Sequence, residues 1–127
     1  MKVIVVEDEI LAAERLVNLI HRYDKEIEVL AVLDSITSSL EWLKNNEAPD
    51  LGFFDIQLAD GLSLDIFEKI DLNFPVIFTT AYDEYALKAF KTNGIDYLLK
   101  PISLEELDSA FQKYVTLRQS LGSDVKK

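Results

Sequence analysis

The stretch LGFFDIQL, residues 51–58, carries four apolar or small residues into a single carboxylate, Asp55, with a turn-forming Asp60-Gly61 just beyond it. Bounded by Pro49 upstream and Gly61 downstream, an apolar run of this length reads as a strand buried on both faces. A charged side chain is costly in such a run, so Asp55 is expected where the strand leaves the core. In open parallel sheets the carboxyl ends of the strands line the ligand crevice. From this stretch alone two readings of Asp55 stand side by side: a reactive carboxylate, or a cap for the following helix.

Working outward, KVIVV (Lys2–Val6) is a short β-branched strand that ends in Glu7-Asp8-Glu9. Ile10, Ala13, Leu16, Val17 and Ile20 then recur at helical spacing, with Glu14, Arg15, Asn18 and Arg22 on the other face. Residues 27–33 (IEVLAVL) read as a second strand, and Asp34 and Ser35 offer caps for a helix whose face is Ile36, Leu40 and Leu43. After the opening strand, Leu62, Ile66, Phe67 and Ile70 mark the buried side of a helix. Pro75 launches a fourth strand, Val76–Thr80. Residues 84–92 have helical composition, with Asn93-Gly94 as a stop. A fifth strand at 95–99 is closed by Lys100-Pro101, and Ser103 to Glu106 fits an S-x-x-E capping box ahead of a stripe of Leu104, Leu107, Phe111, Tyr114 and Leu117. Five strand–helix alternations with short connections imply right-handed crossovers and a parallel sheet covered on both faces, a doubly wound α/β sandwich.

A chain of 127 residues is one domain, and 49% hydrophobic residues spread throughout give it a core without staples. The absence of cysteine excludes disulfides, thiolate metal sites and thiol nucleophiles. With neither a signal peptide nor a long apolar span, a cytoplasmic location is expected, with no membrane contact. The formal charge of −10, from 23 acidic and 13 basic residues, argues against gripping a nucleic-acid backbone and suits binding a cation.

The acidic residues collect at strand ends: Glu7 and Asp8 after the first, Asp55 after the third. If those strands are neighbours, three carboxylates share one crevice, where like charges resist ionisation unless a cation is bound. An oxygen-only donor set favours a hard ion such as Mg²⁺, with Mn²⁺ able to take its place. Thr80 ends the fourth strand with a hydroxyl and Lys100 the fifth with an ammonium. A carboxylate nucleophile, a divalent cation, a hydroxyl and a lysine are what a transferred phosphoryl group requires. No Gly-rich phosphate loop is present, so the phosphoryl group is expected to arrive on a donor. The constellation points to an aspartyl-phosphate site.

These residues carry a resemblance to the receiver domains of two-component response regulators, extending from residue 3 to about residue 115 through VVEDE (5–9), FFDIQL (53–58), TTA (79–81) and DYLLKP (96–101). The resemblance implies a flavodoxin-like fold with a five-stranded parallel sheet in the order 2-1-3-4-5. It implies that Asp55 is the phosphoacceptor, Asp8 a direct Mg²⁺ ligand and Glu7 its acidic neighbour, with Gln57 lending a backbone carbonyl to the metal. Thr80 matches the switch hydroxyl, Tyr97 the aromatic switch, and Lys100 the lysine that pairs with the phosphate; the Lys100-Pro101 bond is usually cis in such domains. The implied partners are a sensor histidine kinase as phosphodonor, an output domain or partner protein, and a second copy on phosphorylation. The surface that responds would be formed by the fourth helix, fifth strand and fifth helix.

The chain departs from the family pattern at Ala59, where many relatives have Pro, and at Gln57 and Tyr82, variable positions that tune phosphoryl lifetime. The run from Thr80 to Ala86 resembles receivers that precede a LytTR-type DNA-binding domain. The expected organisation is a receiver over 1–120, with 121–127 a flexible tail or the start of a linker to an output domain outside this chain. A stand-alone receiver is the alternative. A haloacid-dehalogenase-type phosphatase would want a second acid where Gln57 stands, and a flavodoxin-like cofactor binder would find Glu7-Asp8-Glu9 repelling its anionic group. A degenerate receiver acting only as an interaction module is a further rival, opposed by the intact Glu7, Asp8, Asp55, Thr80 and Lys100 set. The domain is therefore expected to be a phosphoacceptor and not an enzyme with its own substrate. His21 is expected on the solvated surface and Trp42 in packing.

Overall fold

The computed structural model describes residues 1–82 and 94–126, with side chains to residue 120 outside the first two positions of the last strand. Chain order gives β1 (Lys2–Val6), α1 (Ile10–Tyr23), β2 (Glu28–Leu33), α2 (Ile36–Asn45) and β3 (Leu51–Asp55). A small hairpin follows, β4 (Gln57–Leu58) and β5 (Gly61–Leu62), then a 3-10 turn (Ser63–Asp65) and α3 (Ile66–Lys69). The chain closes with β6 (Val76–Thr80), β7 (Gly94–Leu99) and a long helix, α4 (Leu104–Lys126). The helix expected over 84–92 lies outside the described residues.

The main sheet has the order β2-β1-β3-β6-β7, and every pairing in it is parallel. Counting only its own five strands, this is the order 2-1-3-4-5 that the resemblance implies. Successive side chains of a strand point to opposite faces, and the core divides accordingly. Val3, Val5, Phe53 and Ile77 pack with α1 and α4, whereas Ile4, Val6, Phe54 and Phe78 pack with α2 and α3. Every residue of β3 is buried, as expected of a central parallel strand. Gly52 is required there: a Cβ would stand 2.7 Å from Cε1 of Phe54 and 3.0 Å from Cε2 of Phe74. Phe53 meets Phe111 of α4 edge-on, with ring centroids 5.6 Å apart, and Phe111 stacks on Tyr23 at 4.3 Å. The strand under Asp55 is thus gripped from both sides.

Several expectations are corrected. In α1 the buried residues are Ala13, Leu16, Leu19 and Ile20, while Ile10 is 75% exposed. Ile10 is the first helical residue and stands at the rim, ahead of the turn that reaches the core. The helix after Asp55 is a 3-10 turn plus four α residues, with Ile66 buried and Leu62, Phe67 and Ile70 only partly so. The hairpin takes up Gln57 to Leu62, and Pro75 ahead of β6 limits the room downstream. In α4 the stripe ends at Tyr114, with Leu117 exposed. The backbone of α4 runs helical through Gly122 to Lys126, the stretch expected to be a tail or the start of a linker, and that expectation stays open. One glycine costs a helix only about 1 kcal/mol, and no proline stops it.

The caps behave as read. Ser35 accepts from the Ser38 N–H at 3.0 Å and Ser38 Oγ accepts from the Ser35 N–H, a capping box at the start of α2. Ser103 Oγ accepts from the Glu106 N–H at 3.1 Å. His21 is exposed, with Nε2 3.1 Å from the Ile27 carbonyl, and Trp42 packs partly buried beside the cluster containing Phe54.

Candidate functional site

The parallel register decides which side chains meet at the carboxyl rim. Val6 of β1 is paired with Phe54 of β3, so Glu7 and Asp55 leave their strands side by side. Asp55 is in turn paired with Thr79 of β6, which puts Thr80 one step further out, and Thr80 is paired with Leu99 of β7. The Lys100 N–H donates to the Thr80 carbonyl at 2.8 Å, so Lys100 begins its turn beside the other three strand ends. The Lys100-Pro101 peptide is cis.

Lys100 closes the arrangement. Its Nζ donates to Glu7 Oε1 at 2.5 Å and to Asp55 Oδ2 at 2.9 Å, bridging two carboxylates that are themselves 4% and 6% exposed. Asp8 joins them: one carboxylate oxygen from each of Glu7, Asp8 and Asp55 lies within 4.8 Å of the others. The expected triad is therefore a physical cluster. Asp55 Oδ1 also accepts, at 3.3 Å, from the backbone N–H of Gln57.

The electrostatics follow from crowding. Burial pushes the Asp55 carboxyl up to about 6; the bond to Lys100 opposes this and the charge of Glu7 adds to it. Glu7 also feels burial, but Lys100 and the Glu9 N–H outweigh it and hold Glu7 below the usual carboxylate range. Asp8 is raised, by partial burial and by Glu7. Burial works against the charge on Lys100, yet its two carboxylate partners raise it, so it stays protonated. Three acids and one ammonium leave an excess of negative charge. A hard divalent cation held by carboxylate oxygens fits that donor set.

Thr80 is fully buried, and its Oγ1 accepts from the Tyr82 N–H at 3.2 Å. The Tyr97 hydroxyl donates to the Tyr82 carbonyl, so both expected switch residues hold the same turn of chain. Tyr97 is half-buried against the cluster containing Phe54 and Phe78. Two contacts escaped the sequence reading. Arg15 of α1 donates to the Ile102 carbonyl at 3.1 Å, tying α1 to the turn after Lys100. Asp60, read only as a turn former, accepts from the backbone N–H groups of Ile36 and Thr37 at 2.9 and 3.2 Å. The Asp-Gly pair announces a turn, but nothing local to it names a partner on α2.

The fold and this rim together are those of a class, the receiver domains of two-component signalling. Residues 3–112 match the family model described as response regulator receiver domain, and the chain belongs to that family. Among curated relatives, the sensory transduction protein LytT of Bacillus anthracis is 40% identical over 123 residues, covering 94% of this chain and 49% of that protein. The sensory transduction protein LytR of Staphylococcus haemolyticus is 39% identical over 118 residues, covering 89% and 44%. The chain thus spans about half the length of the curated relatives it matches. The crystal structure of the response regulatory domain of mrkE from Klebsiella pneumoniae superposes with a TM-score of 0.80 at 32% identity, covering 94% of this chain and 99% of that one. A receiver domain from Clostridium thermocellum gives 0.78 at 25% identity, over 94% and 98%.

Proposed function

We propose that Asp55 accepts a phosphoryl group from the phosphohistidine of a sensor kinase, in a site completed by Mg²⁺. The observation that carries this reading is the Lys100 ammonium bridging Glu7 and Asp55, with Asp8 in the same cluster. In the transfer an Asp55 carboxylate oxygen forms the new P–O bond as the P–N bond to the donor imidazole breaks, and the imidazole leaves with the bonding pair and takes up a proton. Lys100 is placed to follow the incoming charge, because its present contact with Asp55 lies where the phosphoryl oxygens would appear. Glu7, Asp8, Asp55 and the Gln57 backbone carbonyl would hold the cation, which supplies charge neutralisation for those oxygens. Thr80 would turn its hydroxyl from the Tyr82 N–H to the phosphoryl group, freeing the turn that Tyr97 also holds. The added charge then biases the face that includes β7 and α4 toward a different partner, an output domain or a second copy.

On this reading the domain is a phosphoacceptor and not an enzyme with its own substrate, and it acts in the cytoplasm. Among the described residues no helix is long and apolar enough to cross a membrane. The acidic surface supports an output exerted through protein contacts, with any DNA binding made by another part of a longer regulator. The test is incubation with a small phosphodonor and Mg²⁺, read by intact mass. The wild-type protein gains one phosphoryl increment, and Asp55→Asn gains none. An increment that survives in Asp55→Asn would refute the assignment.

A further inference from the structure

The hairpin that follows Asp55 is tied to a helix 24 residues earlier in the chain. Its strands are two residues each, β4 and β5, joined by Ala59-Asp60. A hairpin of that size does not hold its shape alone, and Ala59 brings no proline to stiffen it. Its position has to come from outside. Asp60 Oδ1 accepts from the N–H of Ile36, and Oδ2 from the N–H and the hydroxyl of Thr37, at 2.9, 3.2 and 3.3 Å. These N–H groups belong to the first turn of α2 and have no partner inside the helix. Ser35 takes the Ser38 N–H, so α2 carries two caps, one from its own chain and one delivered by the hairpin. The positive end of the helix favours the carboxylate. A second contact seats the same element: Gly61 has φ +139°, and a Cβ there would lie 3.1 Å from Cδ1 of Ile36.

Gln57 stands at the other end of this hairpin, with its N–H on Asp55 Oδ1. We propose that Asp60 is a positioning residue: by clamping hairpin 57–62 onto the N-terminus of α2, it fixes the Gln57 backbone carbonyl relative to Asp55 and thereby sets the affinity of the site for Mg²⁺. The inference rests on the receiver reading and deepens it. It also explains how a chain with Ala59 keeps a defined metal loop.

Two variants separate positioning from simple stability. Asp60→Ala and Ser35→Ala each remove a cap from the same helix, but only the first releases the hairpin. In calorimetric titration with Mg²⁺, Asp60→Ala should raise the dissociation constant on the order of tenfold, the usual scale for groups that orient a metal ligand. Ser35→Ala should leave it unchanged, and Asp60→Asn, which keeps one acceptor oxygen, should fall between. Amide hydrogen exchange in EDTA reads the clamp without the metal: exchange at Leu58 and Leu62 should quicken in Asp60→Ala and not in Ser35→Ala. Unaltered exchange in Asp60→Ala overturns the clamp. Unaltered Mg²⁺ affinity in Asp60→Ala, or an equal loss in Ser35→Ala, overturns the positioning role alone. A wild-type protein that takes up no Mg²⁺ overturns the receiver chemistry, and the positioning role with it.

Discussion

Replacing Asp55 with Asn removes a carboxylate whose ionisation the fold resists, and the consequence for stability can be worked out. In the unfolded chain an aspartate titrates at its ordinary 3.8, and in the folded, metal-free protein Asp55 titrates at about 6. Between those values the folded state holds a proton that the unfolded state has released, so stability falls as pH rises through the window. The contribution is fully present below 3.8 and fully lost above about 6. At 1.36 kcal/mol per pH unit, the gap amounts to about 3 kcal/mol. Asn carries no charge at any pH, and Lys100 keeps Glu7 as its partner. Asp55→Asn is therefore expected to gain on the wild type by about 0.5 kcal/mol between acid conditions and pH 4, rising to a total of about 3 kcal/mol at pH 7.5. Urea unfolding in EDTA at half-unit steps from pH 4 to 8 gives the difference curve, in which titrating groups remote from the site largely cancel. A gain that does not change with pH, or a variant less stable than the wild type at pH 7.5, would refute the electrostatic account of the site.

Four further outcomes follow from the same geometry. Mg²⁺ should pull the Asp55 titration down, so binding near pH 6 releases protons, which calorimetry in two buffers of different ionisation enthalpy detects; no buffer dependence would contradict a carboxylate site. At 100 times its dissociation constant, Mg²⁺ should also stabilise the wild type by about 2.7 kcal/mol, with Asp8→Asn gaining far less in the same thermal melt. Lys100→Ala leaves Glu7 and Asp55 facing each other without a counter-charge and should cost toward the lower end of about 3–5 kcal/mol at pH 7.5, Lys100 being partly exposed. The cost should shrink at pH 5, where Asp55 takes up a proton. Gly61→Ala forces a side chain onto a φ of +139° and against Ile36, and should cost about 1–3 kcal/mol in urea unfolding.

The sheet was legible because its strands are buried on both faces and leave little choice of residue. Val3 to Val6, Leu51 to Phe54 and Val76 to Phe78 are all buried, with Gly52 among them making room for two phenylalanines. A carboxylate at the end of such a strand has one place to go, so Asp55 and Glu7 could be placed at the rim from the sequence. Their meeting could not be derived that way, since it depends on β1 and β3 being neighbours, which the order implied by family resemblance supplied. Helices were less legible. On α1 the choice between Ile10 and Leu19 depends on where the helix starts relative to the sheet, which periodicity does not encode. After Asp55 the apolar spacing was compatible with a full helix, but six residues go into a hairpin first.

Asp60 shows where sequence reasoning meets its physical limit. Its short-range neighbours announce a turn, and the turn exists, yet its three hydrogen bonds reach back to Ile36 and Thr37. Those bonds divide the site into two kinds of part. Glu7, Asp55, Thr80 and Lys100 sit at or just beyond the ends of strands locked in the sheet, and their mutual distances follow from its register. Gln57 sits on a short hairpin that its own Asp60 ties to the first turn of α2. Chemistry that needs only the strand ends, such as the raised titration of Asp55 and its pairing with Lys100, should therefore survive loss of the clamp. Chemistry that needs the hairpin carbonyl should not: on the proposed reading, metal affinity would be set from α2 and the position of Asp55 from the sheet.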